Sequence, residues 1–211
     1  MVRLGMFMIR SCFVLAISMS VFCCAPEVHV SVNREVANMR ELNTWFTMYK
    51  NNHNQMLPQQ TGQRFLLELW RAEIMEHTDK NARRFFSAYE PYAEYARKVG
   101  IDPAEVSIQT YLADWDGMGA RYTNYAAFDP QGNPELLDLL KTAPEAVTVI
   151  ANSTFAHEEL VHYMTADGQV HSLNYKDLFK SGVLTVDDIY SGIVPVGADS
   201  PIAELRTVSN D

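Results

Sequence analysis

The sequence predicts an α+β fold, with helices filling its first half and short strands its second. Three observations carry this. Between Val32 and Tyr49 apolar residues recur at steps of three and four, the spacing of one helix face. From Ser107 the texture turns to Tyr, Thr and Ile around glycine-containing turns. Asp167-Gly168 then stands between two short runs, the strongest local hairpin signal a sequence offers. The expected architecture is a long N-terminal helix packed on a small antiparallel sheet, with extra helices inserted between.

The first helix is expected from about Ser31 to about Lys50, with Val32, Val36, Met39, Leu42, Phe46 and Tyr49 on its apolar face. Asn33, Arg34, Arg40, Glu41 and Asn43 are expected mostly on the water side. Asn51, Asn52, His53 and Asn54 supply turn chemistry, and Pro58 blocks continuation. A second helix carries Phe65, Leu66, Leu69, Trp70 and Ile74 inward, with Thr61 as its cap. A third is expected over Asn81–Lys98, with Pro91 as a potential break and Gly100 as its end. Its aromatics Phe85, Phe86, Tyr89, Tyr92 and Tyr95 are spaced as a core stripe, with Arg83 and Arg84 as a solvated edge.

Ser107–Trp115 and Ala120–Phe128 read as strands around an Asp116-Gly117 turn. A loop over Pro130–Pro134, a short helix over Glu135–Lys141 and a strand over Ala146–Ala151 follow. Leu160–Ala166 and Gln169–Leu173 form the hairpin, both of whose turn positions are expected to take positive φ. Tyr175–Lys180 and Val186–Tyr190 read as helical turns, the second capped by Thr185, and residues 197–211 as a loosely held tail.

With 211 residues and 47% hydrophobic content the chain can bury one sizeable core. The first 25 residues read as an export signal: Arg3 and Arg10, then an apolar run from Ser11 to Phe22, then Cys23-Cys24-Ala25-Pro26. Cys24 is the candidate lipidation site, since Val21-Phe22-Cys23-Cys24 resembles a lipoprotein processing box; an uncleaved anchor is the alternative. All three cysteines lie in this leader, which removes disulfides and thiolate chemistry from the rest. Without Arg3 and Arg10 the 17 basic residues fall to 15 against 26 acidic ones, a balance of −11. That balance disfavours nucleic acid or an anionic membrane surface as the main partner, because both require concentrated positive charge.

Residues with catalytic potential are sparse. His157, Glu158 and His162 approach a zinc-helix motif, but the second histidine stands at i+5 rather than i+4. His171 across the hairpin could join His162, giving an alternative reading as an exported metal-dependent hydrolase using His157, His162 and His171. Ser153 and Ser172 lie near histidines without a nucleophile elbow. Asp114 and Asp116 only echo a calcium loop, Asp187-Asp188 suit a helix start, and Asn152-Ser153-Thr154 is a formal glycosylation sequon. No metal, cofactor or small-molecule ligand is expected from these residues.

Two stretches fit one family. Asn38–Pro58, with Asn38, Leu42, Tyr49, Asn51, Asn52, Leu57 and Pro58 in order, resembles a stretch of type IV pilin-like and type II secretion pseudopilin-like proteins. Nine residues separate His157 from Asp167-Gly168, the H-X9-DG spacing for which a prepilin-type family is named. Tyr122-Thr123-Asn124-Tyr125 resembles the aromatic strand such proteins carry ahead of the hairpin. The leader lacks the prepilin glutamate, so the chain resembles a pseudopilin head without its polymerising stem. The resemblance implies a pilin-like fold and a non-enzymatic bacterial envelope protein, exported and membrane-anchored by lipid or an N-terminal anchor. It would act through contacts with envelope proteins linked to a secretion or pilus-like system. The implied organisation is a signal peptide at 1–24, a linker at 25–31, a pilin-like domain at 32–196 and a tail at 197–211. Asn38, Tyr49, Leu57, Pro58, His157, Asp167 and Gly168 are then structural motif residues, and His157 is expected to hydrogen-bond backbone at the hairpin's mouth.

Overall fold

The computed structural model describes residues 26–117, 122–132 and 134–211. The leader, including Cys24, lies outside the described residues. Helix α1 runs Pro26–Asn52, starting earlier than Ser31 and absorbing most of the expected linker. Proline is well suited to a first helical turn, where its missing N–H has no partner to lose. From Met39 onward the face is as expected: Met39, Leu42, Trp45, Phe46 and Tyr49 are buried. At its N-terminal end it is not. Val32 and Val36 are half-buried, while Glu35 and Asn38 take the inward positions. Those two continue the same three-to-four-residue spacing, so the buried stripe is helical but begins polar.

The chain leaves α1 through Asn54 and Gln55, both with left-handed φ, and α2 follows at Gly62–Arg71. Thr61 occupies the N-cap position with extended φ and ψ, but its side chain caps nothing. The helix is seated instead by Gln63, whose amide donates to the Thr123 carbonyl and accepts the Thr123 N–H, at 2.9 and 2.8 Å. Phe65, Leu66, Leu67, Leu69 and Trp70 fill the core beneath it.

The single helix expected over Asn81–Lys98 is divided. Helix α3 covers Asp79–Ala82, a 3-10 turn follows at Arg83–Phe85, and α4 covers Tyr92–Lys98. Pro91 disfavours helical backbone at the residue before it, so the chain opens between Phe86 and Pro91. Ser107–Trp115 is not a strand either: α5 spans Ile108–Ala113, with the Ser107 side chain accepting the Thr110 N–H. Its buried residues, Ile108, Tyr111 and Leu112, already have helical spacing. The Asp116-Gly117 turn therefore joins no hairpin.

The sheet has five strands: β1 Tyr125–Phe128, β2 Thr148–Asn152, β3 Leu160–Thr165, β4 Val170–Asn174 and β5 Val208–Ser209. They lie in the order β4-β3-β2-β1-β5, every pair antiparallel. β1 and β2 are buried at every position, as central strands covered on both faces must be. Helix α6, Leu136–Thr142, links β1 to β2 without burying any of its residues. Helices α7, Tyr175–Lys180, and α8, Val186–Tyr190, occur where expected, the latter with a capping box between Thr185 and Asp188. The tail is not loose. Ile202 and Leu205 are buried, Val208–Ser209 is the β5 edge, and the Asp211 carbonyl accepts the Gln63 N–H at 3.0 Å.

Met164 pairs with Val170 at the end of the β3-β4 hairpin. Of the two turn residues only Gly168 has positive φ, at 85°. The loop is longer than a two-residue turn: Gly168 N–H donates to the Thr165 carbonyl and Thr165 N–H to Gln169, so one left-handed residue suffices. A Cβ on Gly168 would stand 2.3 Å from the Asn43 side chain of α1. The hairpin tip thus abuts the helix.

Candidate functional site

The opening between Phe86 and Pro91 places a polar segment against the buried start of α1. The Glu35 carboxylate is fully buried there and receives four hydrogen bonds. Ser87 Oγ and Ala88 N–H reach Oε2 at 2.9 and 2.6 Å; Tyr125 Oη and Asn152 Nδ2 reach Oε1 at 2.8 and 2.7 Å. Burial raises the Glu35 pKa, and the four donors, Ala88 N–H foremost, oppose that by favouring the anion. Tyr125 is pushed well up by burial and then by the Glu35 charge, so it remains a phenol and a donor.

The network extends in both directions. Asn152 Oδ1 accepts the His162 N–H at 2.8 Å, tying β2 to β3 through the same amide that holds Glu35. The His162 ring lies between Tyr89 Oη, 2.7 Å from Nε2, and Ser172 Oγ, 2.8 Å from Nδ1. Burial lowers its pKa to about 4, so the ring is neutral at pH 7 and one nitrogen donates while the other accepts. On the other side Asn124 accepts the Ser87 N–H and donates to the backbone and carboxylate of Glu90. Glu90 pairs with Lys98 and accepts from Thr154. Asn38 donates to the Phe86 carbonyl at 3.2 Å and accepts from Arg84.

His157 sits at the mouth of β3, where Nδ1 accepts the N–H groups of Glu159 and Leu160 at 3.0 and 2.9 Å. Burial also lowers its pKa, which suits an acceptor nitrogen. Its ring packs on Tyr89, with centroids 4.6 Å apart, and so borders the same network. Asp167 Oδ1 accepts from Thr165 Oγ1 and Gln169 N–H inside the hairpin turn. The turn hydrogen bonds hold the Asp167 carboxylate below its usual range despite the opposing effect of burial. Tyr49 stacks on His53, and Leu57 and Pro58 line a cavity beside α1.

The histidines His157, His162 and His171 do not converge. Directly paired strand residues share a sheet face. His162 pairs with Ser172 and faces α1, whereas His171 pairs with Tyr163 and stacks on it from the opposite face. Among the described residues no group of three His, Cys, Asp or Glu side chains is placed to hold a metal. Ser172 does reach His162, but the ring's other partner is a phenol rather than a carboxylate. A base with a pKa near 4 and no anion to stabilise its charged form is a poor activator of a hydroxyl. Asn152 is buried and its amide is occupied, so the sequon is closed to glycosylation in the folded chain.

Sequence reasoning missed Glu35, Ser87, Tyr125 and Asn152. Glu35 alone carried a signal, standing four residues before Met39 and seven before Leu42 on the apolar stripe. Among the described residues no helix is long and apolar enough to cross a membrane. The fold is α+β with an antiparallel five-stranded sheet. No protein-family model, curated protein or solved structure matches the chain.

Proposed function

We propose that this chain is a non-enzymatic, pilin-like head domain of the bacterial envelope, acting through protein–protein contacts linked to a secretion or pilus-like system. The observation that supports this reading is the fate of the motif residues. His157 holds backbone at the hairpin mouth, Gly168 abuts Asn43 of α1, and Asn38 fastens the Phe86 turn to the same helix. Gly168 joins the sheet's hairpin to the helix, Asn38 ties a loop to it, and His157 orders the strand entry, so all three serve architecture. In this reading the leader carries the chain to the envelope, and Cys24 or the uncleaved leader holds it there.

The test is photocrosslinking in cells from Tyr190, which is 85% exposed, and from Phe179, both on the face away from α1. Adducts with membrane-fraction envelope proteins are the expected result, together with loss of membrane association for Cys24→Ser if the anchor is lipid. A chain found wholly in the cytoplasmic fraction would overturn the proposal. So would stoichiometric zinc that is lost on replacing His157 or His162, which would favour the hydrolase.

A further inference from the structure

Beside the hairpin tip, between the C-terminal half of α1 and α6, lies a cavity of about 600 Å3. That is within the roughly 300–1,000 Å3 of small-molecule sites. Its apolar wall is made by Phe46, Phe65, Phe128 and Val149, all four of them buried members of the main core. Three independent features mark it as more than a packing gap.

Helix α6 contains Leu136, Leu137, Leu139 and Leu140, yet none of its residues is buried. A leucine-rich helix ordinarily presses its apolar stripe onto a core. Here Leu136 and Leu140 are only partly buried against the main core, while Leu137 is exposed, and Leu137 and Leu140 border the cavity. The second feature is charge. The chain carries 26 acidic and 17 basic residues, but both charged side chains lining the cavity are lysines, Lys50 and Lys141. Neither forms a salt bridge among the described residues. The third is backbone strain. Asn54 and Gln55, consecutive non-glycine residues with φ of 55° and 65°, both line the cavity, and such conformations recur at ligand clamps.

We propose that this cavity binds an apolar monocarboxylate, a fatty-acid-like molecule. Its hydrocarbon tail would occupy the space beneath α6, and its carboxylate would meet Lys50 and Lys141. The lysines supply point charges for an anionic head, and the phenylalanines and Val149 supply the apolar wall for a hydrocarbon tail. Asn43, Asn54 and Gln59 add amides able to donate to the same group. The assignment stands independently of the pilin-like reading.

Isothermal titration of the full-length protein with dodecanoate, below its micelle-forming range, tests it. Saturable binding at one molecule per chain is expected, with dodecanol bound roughly tenfold or more weakly, the worth of one charge-assisted contact. The double variant Lys50→Gln/Lys141→Gln should fold normally, since both side chains reach solvent. It should bind dodecanoate no better than dodecanol. Three results would overturn the assignment: no saturable binding, equal binding of dodecyltrimethylammonium, or an undiminished preference for the carboxylate in the double variant. Equal binding of an apolar peptide with an amidated C-terminus would also overturn it and make the groove a peptide site.

Discussion

The two faces of the sheet are closed by opposite means. Toward α1, the main core is crossed by a hydrogen-bonded network running from Glu35 through Asn152 to His162 and Tyr89. Away from α1, Ala126, Ala151, Val161, Leu184, Val194, Ile202, Leu205 and Val208 make a smaller, wholly apolar cluster under the C-terminal segment. The apolar face gains chiefly from buried area, while hydrogen bonds such as Ser200 Oγ to the Pro195 carbonyl and Gly197 N–H to the Leu205 carbonyl order its covering segment. The polar face relies instead on matched donors and acceptors, four donors converging on the Glu35 carboxyl group. It therefore fixes where α1 sits, at the cost of burying the Glu35 carboxyl group.

Removing one anchor from each face should expose that contrast. Glu35→Ala strands four donors in a water-poor interior and should cost about 3–5 kcal/mol. Val161→Ala on the other face loses only transfer and cavity energy, about 2 kcal/mol. Urea denaturation measures both. A Glu35→Ala cost no larger than that of Val161→Ala would show that water enters the network and relieves it.

The pH response should separate the two titrating members of the polar face. His162 has a folded pKa near 4 against an unfolded value of about 6.5. Its contribution is complete above pH 6.5 and is lost as pH falls through 4, a total on the order of 3 kcal/mol. Glu35 is shifted upward, so it acts in the opposite sense: its stabilising contribution is complete below about pH 4.5 and fades as pH rises through its folded pKa. Urea midpoints between pH 4 and 8 should show the acid limb flattened in His162→Gln. An unchanged limb would assign acid sensitivity to other groups.

The hairpin is where the polar face meets the helix. Gly168→Val combines a left-handed backbone with contact against Asn43 and should cost about 2–3 kcal/mol. The double change with Asn43→Ala should recover part of that, and strict additivity would mean that backbone strain is the whole effect. The smallest effect is expected from His157→Ala, about 1–2 kcal/mol for leaving the Glu159 and Leu160 N–H groups to find water. Thermal denaturation would detect it, and a neutral result would mean that the mouth of β3 is already hydrated.

Local chemistry made several elements legible. Thr185 and Asp188 announce α8, Asp167-Gly168 announces the hairpin, and Met39, Leu42, Phe46 and Tyr49 announce the inward face of α1. Each signal acts between residues a few positions apart, and periodicity reads it directly. Misreadings arose where two local signals competed. Tyr and Thr suggested a strand at 107–115, but the Ser107 cap and the spacing of Ile108, Tyr111 and Leu112 made α5. The tail looked loose because its few apolar residues, such as Val208, form no periodic pattern, yet β1 offered them an open edge.

By itself, the sequence determined the α+β class, the hairpin and its glycine, and the inward aromatics of α1. Those depend on backbone stereochemistry and on spacing along one segment. Tertiary structure alone decided that Glu35, Ser87, Tyr125 and Asn152, up to 117 residues apart, share one buried carboxylate. It likewise decided that His162 and His171 lie on opposite faces, and that two lysines distant in sequence border one cavity. The physical reason is the same in each case: a buried polar group is stable only with partners around it in space, and chain order does not record which residues those will be.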